Sequence, residues 1–307
     1  MSANVSSVTT FVVDRSERGK LALTGSEAKD FLQGQVTNDI VGLEPGKGCY
    51  AAFLTHKGKM LGDLRVFDLS DELLLDCERV ALQELFNMIR RFKLGRDVEL
   101  HKRTVERGLL SLVGPGARAA TGAEALGPAE HDNAAGEIGG VPVRLVATDA
   151  GVDLICDAER TGELKAALAD VPEVSEAAAE VVRVESGRPR YGLDLDESVI
   201  PQEAALNERA VSFTKGCYVG QETVARLYYR GKPNRHLRGL RLSEPAATGD
   251  VLRLGEREVG HLGSSVVSPA HGPIGLAIVR REASPGDSVT VGDSGVTATL
   301  VELPFRE

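Results

Sequence analysis

Aromatic residues are scarce in this chain of 307 residues: Phe, Trp and Tyr together make up 4%, and tryptophan is absent. The hydrophobic core must therefore consist mainly of Leu, Val, Ile and Ala. Apolar runs are also short, and none approaches the roughly 20 residues that a membrane-spanning helix requires. Hydrophobic residues at 42% and charged residues at 26% are ordinary for a globular protein. A chain of this length is expected to form about two domains.

Cysteine is sparse as well, with four residues, Cys49, Cys77, Cys156 and Cys217, that form no Cys-x-x-Cys pair. The spacing favours neither a zinc site nor a cluster site, and we predict no bound metal. The N-terminal residues 1–14 lack the cationic start and apolar run of a secretory signal. We therefore expect a cytoplasmic protein with free thiols, of which Cys77 and Cys156 are small buried side chains.

The charge is unevenly distributed. The net charge is −9, yet no acidic residue occurs between Thr223 and Ser243, where six Lys and Arg residues begin with Arg226. A local group of cations in an acidic chain favours an anionic small ligand over general nucleic-acid binding. A solvated linker is the alternative explanation.

One segment combines chemically diverse side chains in a short space. We call residues 211–222, Val-Ser-Phe-Thr-Lys-Gly-Cys-Tyr-Val-Gly-Gln-Glu, the signature segment. Its two glycines permit a tight turn or a close approach to another surface. A cation, a thiol, a phenol, an amide and a carboxylate do not pack together inside a regular helix or strand. The pattern predicts a loop that opens a helix, with Gln221 and Glu222 in the first turn, where the dipole favours an acid. A glycine-rich turn with a chance cysteine is the alternative.

Two further segments precede it in the chain. Residues 183–194 read Arg-Val-Glu-Ser-Gly-Arg-Pro-Arg-Tyr-Gly-Leu-Asp, and residues 31–43 read Phe-Leu-Gln-Gly-Gln-Val-Thr-Asn-Asp-Ile-Val-Gly-Leu. Together with the signature segment, and in this order, they resemble segments of the YgfZ-type folate-binding proteins. Those proteins are relatives of the glycine-cleavage T-protein, an aminomethyltransferase. The resemblance extends from about residue 20 to the C-terminus and implies a T-protein-like fold.

The hydrophobic pattern is compatible with that fold. Strand pairs alternate with helices in the first part of the chain, which is typical of an α+β body. After Pro233, short alternating strands are separated by Gly and Pro at close intervals, a pattern that predicts a small antiparallel β-barrel. We therefore predict a folate-binding domain over residues 1–229 and a barrel domain over residues 230–307. Residues 117–140 are rich in Ala and Gly, and we expect a short helix and loops there with no chemical role.

The resemblance implies a cavity for tetrahydrofolate or a one-carbon derivative near Asp63, Glu185 and Tyr191. An ionised carboxylate matches the two donors on one edge of a pterin, and a tyrosine offers a flat apolar face. Arg188 lies in the same irregular segment as Tyr191, and Arg226 with the cations around it would suit the glutamate tail of folate. The alternatives are an exposed strand position for Asp63, a surface ion pair between Arg188 and Glu185, and a core tyrosine.

Cys217 is the candidate reactive group of the signature segment. A thiolate is the reactive form of cysteine, and both Lys215 and a helix N-terminus would favour it. This makes Cys217 a candidate nucleophile, redox thiol or transient ligand for iron. No His or Asp lies at a spacing typical of a cysteine protease. The other residues of the segment are expected to support the loop: Gly216, Tyr218, Gly220, Gln221 and Glu222.

Three functions are compatible with these features. The resemblance favours a tetrahydrofolate-binding accessory factor that supports iron–sulfur enzymes, including tRNA modification, with transient contacts to iron–sulfur proteins or their assembly machinery. No direct binding to nucleic acid or membranes is expected. A folate-dependent aminomethyltransferase is the second hypothesis, disfavoured because Gly62 stands where the family has the first of two acids and only Asp63 remains. A scaffold with a vestigial pocket is the third.

Overall fold

The computed structural model of the protein describes residues 10–306. Most of the N-terminal segment in which no secretory signal is predicted lies outside this range. No helix within it is long and apolar enough to cross a membrane.

The described chain contains sixteen strands, seven α-helices and two 3₁₀ helices. In chain order the strands are β1 (Phe11–Asp14), β2 (Gly19–Thr24), β3 (Gly48–Leu54), β4 (Met60–Asp68), β5 (Leu73–Cys77), β6 (Glu99–Lys102), β7 (Arg107–Val113), β8 (Asn133–Ile138), β9 (Val141–Ala147), β10 (Gly151–Asp157), β11 (Arg235–Leu242), β12 (Val251–Leu254), β13 (Arg257–Ser268), β14 (Gly272–Arg280), β15 (Ser288–Val291) and β16 (Val296–Val301). The α-helices are α1 (Ala28–Gln33), α2 (Leu82–Phe92), α3 (Ala117–Thr121), α4 (Thr161–Ala167), α5 (Glu176–Glu185), α6 (Asn207–Ala210) and α7 (Gln221–Arg230). The 3₁₀ helices, Arg79–Ala81 and Ala158–Arg160, lead into α2 and α4.

The strands form two open sheets and one closed barrel. Sheet 1 has the strand order β1-β7-β10-β9-β8, and sheet 2 has the order β3-β4-β5-β2-β6. The barrel closes in the order β11-β14-β13-β12-β15-β16. The α+β body with a C-terminal antiparallel barrel is therefore confirmed. The barrel begins at Arg235, and the proposed division at residue 229 stays a prediction.

Sheet 2 is buried on both sides at β4. Successive side chains of a strand point to opposite faces, so Leu64 and Val66 pack into the main core of the body. Phe67 on the other face packs with Leu74 against residues of sheet 1, among them Leu109. The same face of β4 carries residues 63 and 65. One end of the space between the sheets is therefore apolar, and the neighbouring part is lined by charged side chains.

The stretch 117–140 is more ordered than the sequence predicts. It contains α3 and the edge strand β8, which pairs with β9 from Asn133 to Ile138. We expected a helix and loops only. Strand β8 reads Asn-Ala-Ala-Gly-Glu-Ile, in which Ile138 is the one residue of the β-branched and aromatic types that favour strands. Residues 133–138 form a strand because they pair with β9, and their own sequence gives little indication of this pairing.

Candidate functional site

A cavity of about 190 Å³ lies between the two sheets, and we call it the central cavity. Sheet 2 contributes Tyr50 and Asp63, and sheet 1 contributes Asp153. Its walls carry seven arginines and five acidic residues, together with His131 and Tyr191. Helix α5 and the segment that follows it close one side.

Asp63 is the buried carboxylate of this cavity, with 5% of its surface exposed. The Tyr50 hydroxyl donates a hydrogen bond of 2.6 Å to its Oδ2 atom. Burial raises the pKa of Asp63 to about 6, even though the bond from Tyr50 acts in the opposite direction. The alternation of β4 places this side chain opposite the Leu64 face, as predicted. An exposed strand position, the alternative explanation, does not describe Asp63.

Arginine–carboxylate pairs fix the wall beside Asp63. Arg65 donates hydrogen bonds to Asp76 at 2.8 Å and to Asp153 at 2.5 Å, which links sheet 2 to sheet 1. Arg18 also donates to Asp76, at 2.8 Å. Burial alone would raise the pKa of Asp76, but the two guanidinium groups lower it well below its usual value. These pairs hold the side chains in fixed positions, which favours a preformed site.

Tyr191 and Arg188 line the cavity as the sequence predicts. Tyr191 is 8% exposed, and burial raises its pKa to about 12, so the phenol stays protonated. Arg188 pairs with Asp149 of the β9–β10 turn at 2.7 Å. It therefore faces sheet 1, and the surface pair between Arg188 and Glu185 is not formed.

Glu185 does not lie in the cavity, contrary to the expectation that it faces the ligand together with Asp63. The cavity-lining residues of α5 are Ala179, Val182 and Arg183, and with Ser186 just after the helix they follow the spacing of one helical face. Glu185 lies two residues after Arg183, about 200° further around the helix. Its carboxylate instead accepts a hydrogen bond of 2.5 Å from Ser268 of the barrel.

The side chain of Lys215, in the signature segment, is held by hydrogen bonds to the backbone. Its ammonium group donates to three backbone carbonyl oxygens at and after the C-terminal end of α1, those of Gln33 at 2.5 Å, Val36 at 2.7 Å and Asn38 at 2.8 Å. Burial lowers the pKa of Lys215 to about 8. Because an ammonium group has three N–H donors, none is left for a thiolate at Cys217.

Cys217 is exposed and does not line the central cavity, so the expected position at the cavity edge is not observed. The segment does open a helix as predicted: Gly220 has φ +87° and precedes α7, which begins at Gln221. Arg226 of this helix is exposed and is also absent from the cavity wall. Arg226 therefore does not contribute to the cavity, and the role of Arg226 and the cations around it in binding the glutamate tail of folate stays a prediction.

An aromatic group accompanies the signature segment at the surface. The ring of Phe213 stacks on that of Tyr228 in α7, with centroids 3.7 Å apart, and Tyr229 packs edge-on against both. Tyr228 and Tyr229 are 49% and 67% exposed. We call Phe213, Tyr228 and Tyr229 the aromatic surface.

Tyr50, His131 and Arg209 are among the cavity residues that sequence reasoning missed. His131 is 4% exposed, and burial, assisted by the charges of Arg65 and Arg209, lowers its pKa to about 3. It lies in the stretch that we expected to have no chemical role. Tyr50 was detectable in principle, since it faces the cavity from the strand that forms a hairpin with the Asp63 strand.

Comparison with known proteins identifies the family. The "GCVT N-terminal domain" matches residues 3–215, and the "Glycine cleavage T-protein C-terminal barrel domain" matches residues 235–306. The tRNA-modifying protein YgfZ of Vibrio vulnificus is 32% identical over 251 residues, which cover 79% of this chain and 73% of that protein. YgfZ of Colwellia psychrerythraea is 27% identical over 300 residues, which cover 93% of this chain and 92% of that protein. The chain is a YgfZ-type member of the glycine-cleavage T-protein superfamily.

Catalytic members of the superfamily are also similar to the chain. An aminomethyltransferase of Thermotoga petrophila is 32% identical over 323 residues, which cover 95% of this chain and 85% of that protein. The crystal structure of aminomethyltransferase T from Bartonella henselae superposes with a TM-score of 0.86, covering 98% of this chain and 87% of that one at 22% identity. The T-protein-like fold is thus confirmed over nearly the whole described chain.

Proposed function

We propose that the chain binds a reduced folate, tetrahydrofolate or a one-carbon derivative, in the central cavity. We further propose that it acts as an accessory factor for iron–sulfur enzymes, including those that modify tRNA, and not as a transferase. The observation that carries the first part is the buried Asp63 carboxylate, which lines a cavity together with Tyr191.

The residues of the cavity fit such a ligand. Apart from the Asp63 backbone, the only hydrogen-bond donor to the Asp63 carboxylate among the described residues is Tyr50. The carboxylate therefore retains acceptor capacity for the two donors of a pterin edge. Buried nitrogen atoms of His131 and Arg209 on the same walls have no partner within residues 10–306. Unsatisfied buried groups of this kind are rare in native proteins and call for a water molecule or a ligand.

The size of the cavity limits what it encloses. Ligand pockets usually measure about 300–1,000 Å³, and the central cavity measures about 190 Å³. We infer that it encloses the ring end of the folate and leaves much of the side arm outside. When bound, the folate supplies one-carbon chemistry. The chain orients the ring through Asp63 and Tyr191.

We propose that Cys217 acts at a surface separate from the folate site. Because the thiol is exposed and lies outside the cavity wall, we assign it to contact with partner proteins and not to the folate. The aromatic surface beside the signature segment supports this role, because Tyr residues are enriched in protein–protein contacts. Iron–sulfur proteins or their assembly machinery are the partners that we propose, with Cys217 as the group that meets them.

Isothermal titration with tetrahydrofolate tests the first part of the proposal. The parent protein is expected to bind with a stoichiometry near one, and Asp63→Asn to bind at least about tenfold more weakly, because the amide exposes a donor where the ring needs an acceptor. Glu185→Gln is the matched control, since Glu185 faces the barrel, and it should bind like the parent. Absence of binding by the parent protein would contradict the proposal.

An aminomethyltransferase is the second candidate, favoured by the 32% identity to the Thermotoga petrophila enzyme. The single acid at residues 62–63, where the family has two, argues against it. The two functions separate in one assay. Folate-dependent release of ammonia from an aminomethyl-lipoyl carrier protein is expected to be absent. Turnover that is lost in Asp63→Asn would establish the transferase instead.

A further inference from the structure

His131 is held in an unusual conformation in the wall of the central cavity. Its backbone has φ +75°, in the left-handed region that costs a non-glycine residue about 1 kcal/mol or more. Its side chain is 6% exposed, and both ring nitrogens are buried without a hydrogen-bond partner within residues 10–306. The nearest carboxylate, that of Glu130, lies 3.7 Å away, beyond hydrogen-bond distance.

The neighbouring Arg209 also has a free donor. Its Nη2 atom donates to Glu130 at 2.5 Å, and its guanidinium lies 5.1 Å from the centre of the Tyr50 ring. Its Nε atom is buried without a partner in the described chain. Arg209 and His131 both line the central cavity, so their unpaired nitrogens belong to one wall.

The His131 end of this wall lies away from Asp63, whereas Arg209 lies over the ring of Tyr50, which donates to Asp63. The His131 ring packs edge-on against Phe67 at 6.0 Å between centroids. Phe67 is four residues along β4 from Asp63, a distance of about 13 Å at about 3.3 Å per residue. A ligand that extends from Asp63 along β4 would therefore pass Arg209 before it reaches His131.

We propose that His131 and Arg209 form a second subsite of the central cavity, which binds a carbonyl or carboxylate oxygen on the side arm of the folate. A neutral imidazole carries one N–H donor, and the Arg209 Nε–H is a second. An acceptor oxygen is the group that both can bind. This inference rests on the proposed folate function.

We attribute the strained backbone of His131 to the ligand that its unsatisfied nitrogens would bind. Without a ligand, His131 adds a polar side chain to a buried site and adopts an unfavourable φ, and both lower the stability of the fold. Such costs are tolerated where a site is preorganised for a ligand. Ordered water is the competing occupant, because a polar cavity of this size holds water molecules.

The test compares His131→Phe with the parent for two ligands. Phenylalanine keeps a flat ring against Phe67 and removes both nitrogens, so the free energy of unfolding is expected to stay equal or rise. Tetrahydrofolate is expected to bind about tenfold more weakly. A tetrahydropterin without a side arm is expected to bind parent and variant equally. His261→Phe, at an exposed position, is the matched control and should change neither affinity.

Each outcome decides the question. If the parent binds tetrahydrofolate and His131→Phe binds it equally well, water is the occupant and the subsite is wrong. If the parent binds neither ligand, the folate function fails and the subsite with it. Loss of affinity for both ligands to the same extent also overturns the subsite, because it indicates a general disturbance. His131→Gly, which favours a positive φ and also removes both nitrogens, replaces the phenylalanine variant if that variant does not fold.

Discussion

The Tyr50 hydroxyl donates to the Asp63 carboxylate across 2.6 Å, and both residues lie inside the space between the two sheets. Burial, followed by the charge of Asp63, raises the pKa of Tyr50 well above its usual value, so the phenol remains a donor at every physiological pH. This fixed donor keeps one carboxylate oxygen in place and leaves the other for a ligand. Because Asp63 is buried, its ionisation also changes the free energy of unfolding, so its charge can be followed through the pH dependence of stability.

Asp63→Asn is expected to change how stability depends on pH. The pKa of Asp63 is raised from 3.8 to about 6 by burial, so the native state binds more protons than the unfolded state between these values. The free energy of unfolding of the parent therefore falls as pH rises through this window, by at most about 3 kcal/mol from this group. The variant should lack this contribution.

Urea denaturation of both proteins between about pH 4 and about pH 7 measures the effect, and the difference between the two curves isolates the group. Glu185→Gln again serves as the control, since it leaves Asp63 in place. Parallel curves for parent and Asp63→Asn would show that the carboxyl is not shifted and that the wall around it is more open to water.

Lys215→Met is expected to destabilise the fold by about 3 kcal/mol, because three charge-assisted hydrogen bonds are lost and three carbonyls at and after the C-terminal end of α1 lose their partner. Chemical denaturation measures the loss. Lys232→Met is the matched control, at an exposed position of the same part of the chain, and should stay within about 0.5 kcal/mol of the parent. A stable Lys215→Met protein with altered thiol reactivity would restore the role that the sequence suggested for Lys215.

Cys217 is expected to react first with iodoacetamide under native conditions. It is the one exposed thiol of the four cysteines; Cys77 and Cys156 are buried, and burial raises the pKa of the half-buried Cys49 to about 12. Intact mass measured over time should show one rapid addition, and the same addition should disappear in Cys217→Ser. That variant should bind tetrahydrofolate like the parent. A bound folate that protects Cys217 from labelling would place the thiol at the ligand after all.

The architecture was accessible from local patterns. The hairpin that carries Asp63, the helix that begins at Gln221 and the strands of the barrel each follow from alternation, caps and turn residues within short windows. Asp63 reaches the cavity because the alternation of β4 determines the face on which it lies, whereas Tyr191 lies in the irregular segment after α5, where the resemblance indicated a ligand. For these residues the position in the cavity was predictable, and their role in binding stays a prediction.

Other parts of the site depend on contacts between distant residues. Glu185 was placed in the cavity because it belongs to a motif, yet the phase of α5 turns it toward Ser268. Apolar residues lie on more than one side of α5, since Ala179 packs against β1 and Val184 against the barrel, so the sequence alone does not fix that phase. The position of His131 was not readable either, since its contact with Phe67 joins a weakly patterned stretch to a strand more than sixty residues earlier. Unsatisfied nitrogens are visible only once the packing around them is known.

Gly220 and Gly216 are expected to differ sharply when each is changed to alanine. Gly220 has φ +87°, and a Cβ atom there would lie 2.6 Å from the carbonyl oxygen of Thr55. A left-handed alanine costs about 1–2 kcal/mol, and the contact adds to it, so Gly220→Ala should destabilise the fold by about 2 kcal/mol or more. At Gly216 a Cβ would meet no atom within 4 Å, and stability should change by less than about 1 kcal/mol.

Comparing Gly220→Ala with Gly216→Ala distinguishes a glycine that the fold requires from one that only affects the surface around Cys217. Denaturation curves give the stabilities, and the rate of Cys217 alkylation gives the accessibility of the thiol. Gly216→Ala should keep the stability and slow the alkylation, because the added methyl group lies next to the exposed cysteine. Equal destabilisation by both substitutions would mean that the signature segment is packed more tightly than its exposed thiol indicates. In that event Gly216 would be required by the fold, and Cys217 would not be presented to a partner by this loop.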